Sequence, residues 1–152
     1  MDTTTTNDQV WQKFQQALAD CLGDLDYWDS LIISARHLGS FVQFSGDGPG
    51  TPMRAEATPK FSPRKAPPSE DECLAMQKLG WSGLESYGNF FINDEHPGDY
   101  SRLAELAVRT LREMHGISLP RQLQYRAFSC DPGTPEIRFP SLKIHREPAD
   151  RG

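Results

Sequence analysis

Apolar residues in this chain first recur at helical spacing. Val10, Trp11, Phe14, Leu18, Cys21 and Leu22 share one face with Gln and Asp opposite, which predicts an amphipathic helix capped at Asn7 or Asp8 and ended by Gly23. The threonine run from Thr3 to Thr6 reads as a frayed end, and residues 1–7 as a disordered N-terminus. From Leu25 to Leu38 the pattern fits two elements. Leu25, Trp28, Leu31, Ile32, Ala35 and Leu38 suit a helix, but the β-prone runs Leu31-Ile32-Ile33 and Phe41-Val42-Gln43-Phe44 flank a turn-forming His37-Leu38-Gly39-Ser40. The hairpin is the better reading. A third strand follows at Met53 to Lys60, where Met53, Ala55 and Ala57 alternate with Arg54, Glu56 and Thr58. The intervening Gly46-Asp47-Gly48-Pro49-Gly50 superficially resembles a phosphate cradle. It joins two strands rather than a strand to a helix, so a tight turn explains it better.

The middle of the chain is rich in proline: half of the twelve fall between Pro49 and Pro68. Phe61 to Pro68, with Arg64 and Lys65, reads as an exposed basic loop. Ser69-Glu70-Asp71-Glu72 then has the spacing of a capping box, opening a short helix with Cys73, Leu74, Met76 and Leu79 as its apolar surface and Gly80 as its stop. A turn-rich connection, Trp81 to Tyr87, leads to a strand at Asn89-Phe90-Phe91-Ile92. After Pro97-Gly98-Asp99 comes a helix from Tyr100 to His115. Leu103, Leu106, Ala107, Leu111 and Met114 mark its buried face, and Glu105, Arg109 and Glu113 form charge pairs on its outer face. Leu123, Tyr125 and Ala127 alternate with Gln124, Arg126 and Phe128 in a further strand. Ile137 and Phe139, with Leu142 and Ile144, suggest another, and the polar tail from Arg146 reads as loose. Helix, three strands, helix, strand, helix and one or two strands make an α+β domain over residues 8–145, with an antiparallel sheet of about five strands and helices packed on one side. Residues 146–152 form the tail.

Composition narrows the function. Sixteen Lys and Arg against 21 Asp and Glu give a net charge of −5, which argues against nucleic-acid binding because such domains usually carry a basic face. No apolar run approaches the roughly 20 residues that span a bilayer, so no membrane role is expected. Met1 to Asn7 lacks the shape of a secretory signal, and the three cysteines, Cys21, Cys73 and Cys130, are odd in number and widely spaced. Buried free thiols in a reducing cytoplasm are the expectation.

Candidate chemistry is sparse. The four histidines are scattered and no cysteine pair has metal-ligand spacing, so no metal and no cofactor is expected. His115 reads as a cation held at a helix C-terminus. Asp94-Glu95-His96 places carboxylates beside an imidazole, as general acid and base would need, yet neighbours in a strand point to opposite faces and the three cannot all converge. Cys130 has a nucleophile's chemistry but no identifiable histidine partner. More informative is the surplus of large apolar residues in connections and strand ends. Phe61, Trp81, Leu84, Tyr87, Phe90 and Phe91 permit an aromatic groove beside a sheet edge, the arrangement that captures extended peptides.

Short motifs carry a family resemblance over about residues 25–130. Leu79-Gly80-Trp81, Asn89-Phe90-Phe91 and the segment Leu103 to Arg112 resemble the actinobacterial TY-Chap domains, relatives of YbjN and of the type III secretion chaperones. Val42-Gln43-Phe44, Gly116-Ile117 followed by Pro120, and Leu123-Gln124-Tyr125 fit as well. The chain departs from the pattern at Ser82, Gly83 and Leu84, where a proline is common. The resemblance implies a chaperone-like α+β module without catalytic residues, and related chaperones are often homodimers that hold a client segment in extended form. The resulting expectation is a cytoplasmic, non-catalytic protein that binds a peptide or protein client through Phe44, Phe61, Trp81, Phe90 and Phe91, with strand edges supplying backbone hydrogen bonds. An alternative is an accessory subunit that docks on and activates or stabilises a biosynthetic enzyme, for example a peptide-modifying one. A third is a small enzyme using Asp94, Glu95 and His96.

Overall fold

The computed structural model describes residues 3–26, 28–35, 40–46, 53–58, 68–84, 89–94, 99–130, 133 and 137–147. Three helices and seven strands are found among them: α1 (Thr3–Gly23), β1 (Asp29–Ala35), β2 (Phe41–Ser45), β3 (Met53–Ala57), α2 (Glu70–Leu79), β4 (Gly83–Leu84), β5 (Phe90–Asp94), α3 (Ser101–Arg109), β6 (Leu123–Ser129) and β7 (His145–Arg146). The strands form one sheet in the order β4-β5-β3-β2-β1-β6-β7. Every pairing is antiparallel except β6 with β7. The fold is α+β as expected. The strand count exceeds five because each edge of the sheet is finished by a two-residue strand, too short to show as a periodic run.

Period-two alternation decides which face is buried. Leu31, Ile33 and Ala35 of β1, Val42 and Phe44 of β2, Met53, Ala55 and Ala57 of β3, and Leu123, Tyr125 and Ala127 of β6 all point into the core. There they join Trp11, Phe14, Leu18 and Leu22 of α1 and Leu103, Ala107 and Val108 of α3, which pack on each other. The opposite face presents Ile32, Gln43, Arg54, Glu56, Phe91, Arg126 and Phe128, all partly exposed. The hairpin of β1 and β2 replaces the helical alternative because only strands separate Leu31 and Ile33 from Ile32 on opposite faces.

The capping box of α2 forms as expected. The Glu72 amide donates to Ser69 Oγ at 3.2 Å and the Ser69 amide to Glu72 Oε1 at 3.2 Å. Gly80, at φ 130°, ends the helix in a conformation that a side chain would strain.

Other elements differ from their expected form. α1 begins at Thr3, before the cap expected at Asn7 or Asp8. The third helix is not uniform: it is α-helical to Arg109 and then makes a π-helical turn over Thr110–Met114. At the start of that turn the buried Thr110 Oγ1 donates to the Leu106 carbonyl at 2.7 Å, alongside the backbone N–H of the same residue, and the His115 amide closes the turn on the Thr110 carbonyl at 3.0 Å. The expected strand at residues 137–144 is absent. Pro140–Leu142 makes a 3-10 turn, and only His145–Arg146 pairs with β6. Arg146 and Glu147 are therefore not a loose tail, and the Glu147 amide donates to the Tyr125 carbonyl at 2.7 Å. The basic loop at residues 61–67 and the turn at 47–50 lie outside the described residues.

Candidate functional site

Of the five residues expected to contact a client, three serve the core. Phe44 and Phe90 are buried on the helix side of the sheet, and Trp81 is only 3% exposed. Trp81 is held there by its indole N–H, which donates to Thr110 Oγ1 at 3.0 Å with both groups buried. Phe91 lies on the open face of β5, opposite Glu56, but is partly capped by its neighbours. The Arg54 guanidinium stacks 4.7 Å from its ring while bonding Asn93 and pairing with Glu56. Phe61 lies outside the described residues.

The Asp94-Glu95-His96 cluster is not assembled among the described residues. Asp94 closes β5 opposite Met53, and residues 95 and 96 fall outside them. Among the described residues no group of His, Cys, Asp and Glu could hold a metal ion, and no helix is long and apolar enough to cross a membrane. The three cysteines are free, but only Cys21 is buried, its Sγ 3.6 Å from Ser141 Oγ; Cys73 is half-buried and Cys130 exposed. Burial pushes the Cys21 thiol up from its ordinary value.

His115 corrects the expectation of a helix-end cation. It is 6% exposed, and its Nε2–H donates to the Thr58 carbonyl at 2.7 Å. Nδ1 is buried with no hydrogen-bond partner. Desolvation lowers its pKa, so the ring is neutral and ties the π-turn to the end of β3.

Among the described residues, a groove and a sheet edge have the geometry to bind something. An open groove of about 480 Å³ runs between α1 and α3, lined by Asp8, Trp11, Gln15, Val108, Arg109 and Arg112 among others. Both of its arginines are paired: Arg112 bonds Asp8 at 2.9 Å and lies 5.5 Å from the Trp11 ring, and Arg109 bonds Glu113 at 3.0 Å. The second surface is the β6 edge of the sheet. β7 pairs only with Gln124 and Tyr125. Because Tyr125 directs its carbonyl outward to Glu147, strand alternation directs the N–H and C=O of Ala127 outward as well. Among the described residues β7 offers them nothing.

Aromatic side chains flank Ala127. Phe128 is half-buried on the open face, with the Arg126 guanidinium 5.3 Å from its ring. At the end of the β1–β6 ladder the Trp28 carbonyl accepts from the Cys130 amide at 3.0 Å, and the Trp28 side chain is 56% exposed. Trp28 also holds a left-handed backbone, φ 74°, which costs a non-glycine residue about 1–2 kcal/mol. Backbone strain and a large exposed apolar surface coincide there.

Trp28 and Phe128 were not among the residues expected at a binding site. Phe128 carried a signal nonetheless, since it alternates with Arg126 and Gln124 on the polar side of its strand, whereas Trp28 precedes β1 with a left-handed backbone that strand parity does not reach.

The TY-Chap3 family model, described as T3SS (YopN, CesT) and YbjN peptide-binding chaperone 3, matches residues 4–129. The chain belongs to this family. The TY-Chap3 match begins within α1 and ends at the last residue of β6, so it takes in the open stretch of that edge. No curated protein and no solved structure matches the chain.

Proposed function

We propose that this TY-Chap3 protein binds an extended segment of a client protein without catalysis, by adding it as a strand along β6 from Arg126 to Ser129. The observation that carries this reading is that, among the described residues, the ladder with β7 reaches Tyr125 and the Ala127 amide and carbonyl are directed outward near Phe128 and Trp28. Strand addition draws affinity from backbone hydrogen bonds, and neighbouring aromatic side chains select what is bound. Trp28 is the natural anchor, since an exposed tryptophan offers large contact area at little cost in conformational freedom. Three free thiols suit a reducing, cytoplasmic setting.

Two substitutions separate binding from folding. Ala127→Pro removes an outward N–H and spares the ladder to β1, as edge strands tolerate. Trp28→Gly removes the indole and also relieves the left-handed backbone. Tagged full-length chain is used to capture companions from its native lysate, in parallel with both variants. The reading expects a companion whose recovery falls about tenfold in each variant, equivalent to about 1.4 kcal/mol of binding. The melting temperature of Trp28→Gly should be unchanged or higher. Companions retained equally by both variants, or none captured by the unaltered chain, would contradict it.

A further inference from the structure

We propose that the segment bound along β6 is acidic at the end lying beside β7 and apolar at the end reaching Trp28, an inference that rests on strand addition at this edge. Charge is unevenly distributed along the chain. Residues 121–147 carry five cations, Arg121, Arg126, Arg138, Lys143 and Arg146, against Asp131, Glu136 and Glu147, whereas the first 120 residues carry ten cations against seventeen carboxylates.

The fold gathers most of those cations around one stretch of edge. His145 and Arg146 pair with Gln124 and Tyr125, just before the open stretch begins. Lys143 lies two residues earlier. Arg138 adjoins Phe139, whose amide donates to the Tyr125 hydroxyl at 2.9 Å on the helix side of the sheet. Arg126 stands on the opposite, open face. Arg138 and Lys143 are exposed and make no ion pair among the described residues. Among the described residues the carboxylates nearby are hydrogen-bonded: Glu147 accepts from Gln124 Nε2 at 3.1 Å, and Asp29, opposite Ser129, accepts from the Asp26 amide at 2.8 Å.

A strand laid on this edge thus has the exposed cations Arg138 and Lys143 toward its β7 end and an exposed indole at the other. Backbone pairing is indifferent to sequence, so the electrostatic field and the aromatic contact decide which segment is held. Each exposed charge pair contributes modestly and is screened by salt, so the preference expected is moderate and sensitive to ionic strength.

Three fluorescein-labelled peptides test this. Each is about nine residues long and shares an apolar half of alternating Val with one Phe; in the other half the polar positions are Glu, Gln or Lys. Anisotropy titrations against the full chain should show the Glu peptide binding about tenfold more tightly than the Lys peptide, with the Gln peptide between them. Raising salt from about 50 to about 300 mM should reduce that ratio to about twofold or threefold. The double variant Arg138→Glu with Lys143→Glu should lose the preference while melting as the unaltered chain does. Equal affinities, or tighter binding of the Lys peptide, would overturn the acidic assignment; if binding still falls in Ala127→Pro, strand addition stands. No binding by any peptide, or binding indifferent to Ala127→Pro, would overturn both.

Discussion

A single imidazole shows how position overrides residue type. His115 sits where a helix C-terminus favours a cation, yet burial disfavours charge there more strongly, and the Thr58 carbonyl takes the Nε2 proton. The sign of the resulting pH dependence follows from the lowered pKa. As pH falls through about 6.5, the unfolded chain binds a proton at this residue before the folded chain does. Stability tied to His115 is therefore whole above that pH and is lost progressively below it, down to the folded value. Its slope reaches at most about 1.4 kcal/mol per pH unit. His115→Gln can keep a donor to Thr58 and has no titration. Its melting temperature should start lower at pH 7.5 and fall less steeply than that of the unaltered chain between pH 6.5 and 5. Parallel slopes would remove His115 from the acid sensitivity of the fold.

At the scale of elements, periodicity carried most of the information, and it failed where the helix changes type under an unbroken pattern or where a pairing is very short. β3 and β6 were legible because each alternates, and β1, β2 and β5 because each is a short run of β-prone apolar residues. The capping box at Ser69 was legible because four consecutive residues hold the whole motif. The π-turn at Thr110 was not, since the helical pattern runs through it unbroken, and neither was the hydroxyl there that bonds backward to Leu106 and accepts the Trp81 indole. Nor were β4 and β7, two residues each. Thr110→Val would leave the Trp81 N–H buried without its acceptor, at a cost of about 1–3 kcal/mol. For a chain of this size the melting temperature should fall by about 3–10 °C, and Thr110→Ser should recover most of it. An unchanged melting temperature in Thr110→Val would show that the bond does not hold Trp81 in place.

Burial, the property that decides whether an aromatic residue is core or contact, is set by the whole molecule. Phe44, Trp81 and Phe90 have the composition of a binding groove and the positions of a core. Phe91 and Phe128 fall on the open face by strand parity alone, so that much of the site was readable. The opening at Ala127 was not, because it depends on where a strand some twenty residues downstream stops pairing. Among the described residues each edge strand covers only part of its neighbour: β4 pairs with Phe90 and Phe91, the Ser82 amide bonding the Phe91 carbonyl at 2.9 Å, and β7 pairs with Gln124 and Tyr125. Amide hydrogen exchange with the tightest-binding of the three peptides tests the central claim most directly. Strand addition predicts that the Ala127 amide slows by about tenfold or more on saturation, while Asn93 and Asp94 at the other edge are unchanged. Protection confined to β5 or to the groove between α1 and α3, with Ala127 exchanging as in the free protein, would contradict it.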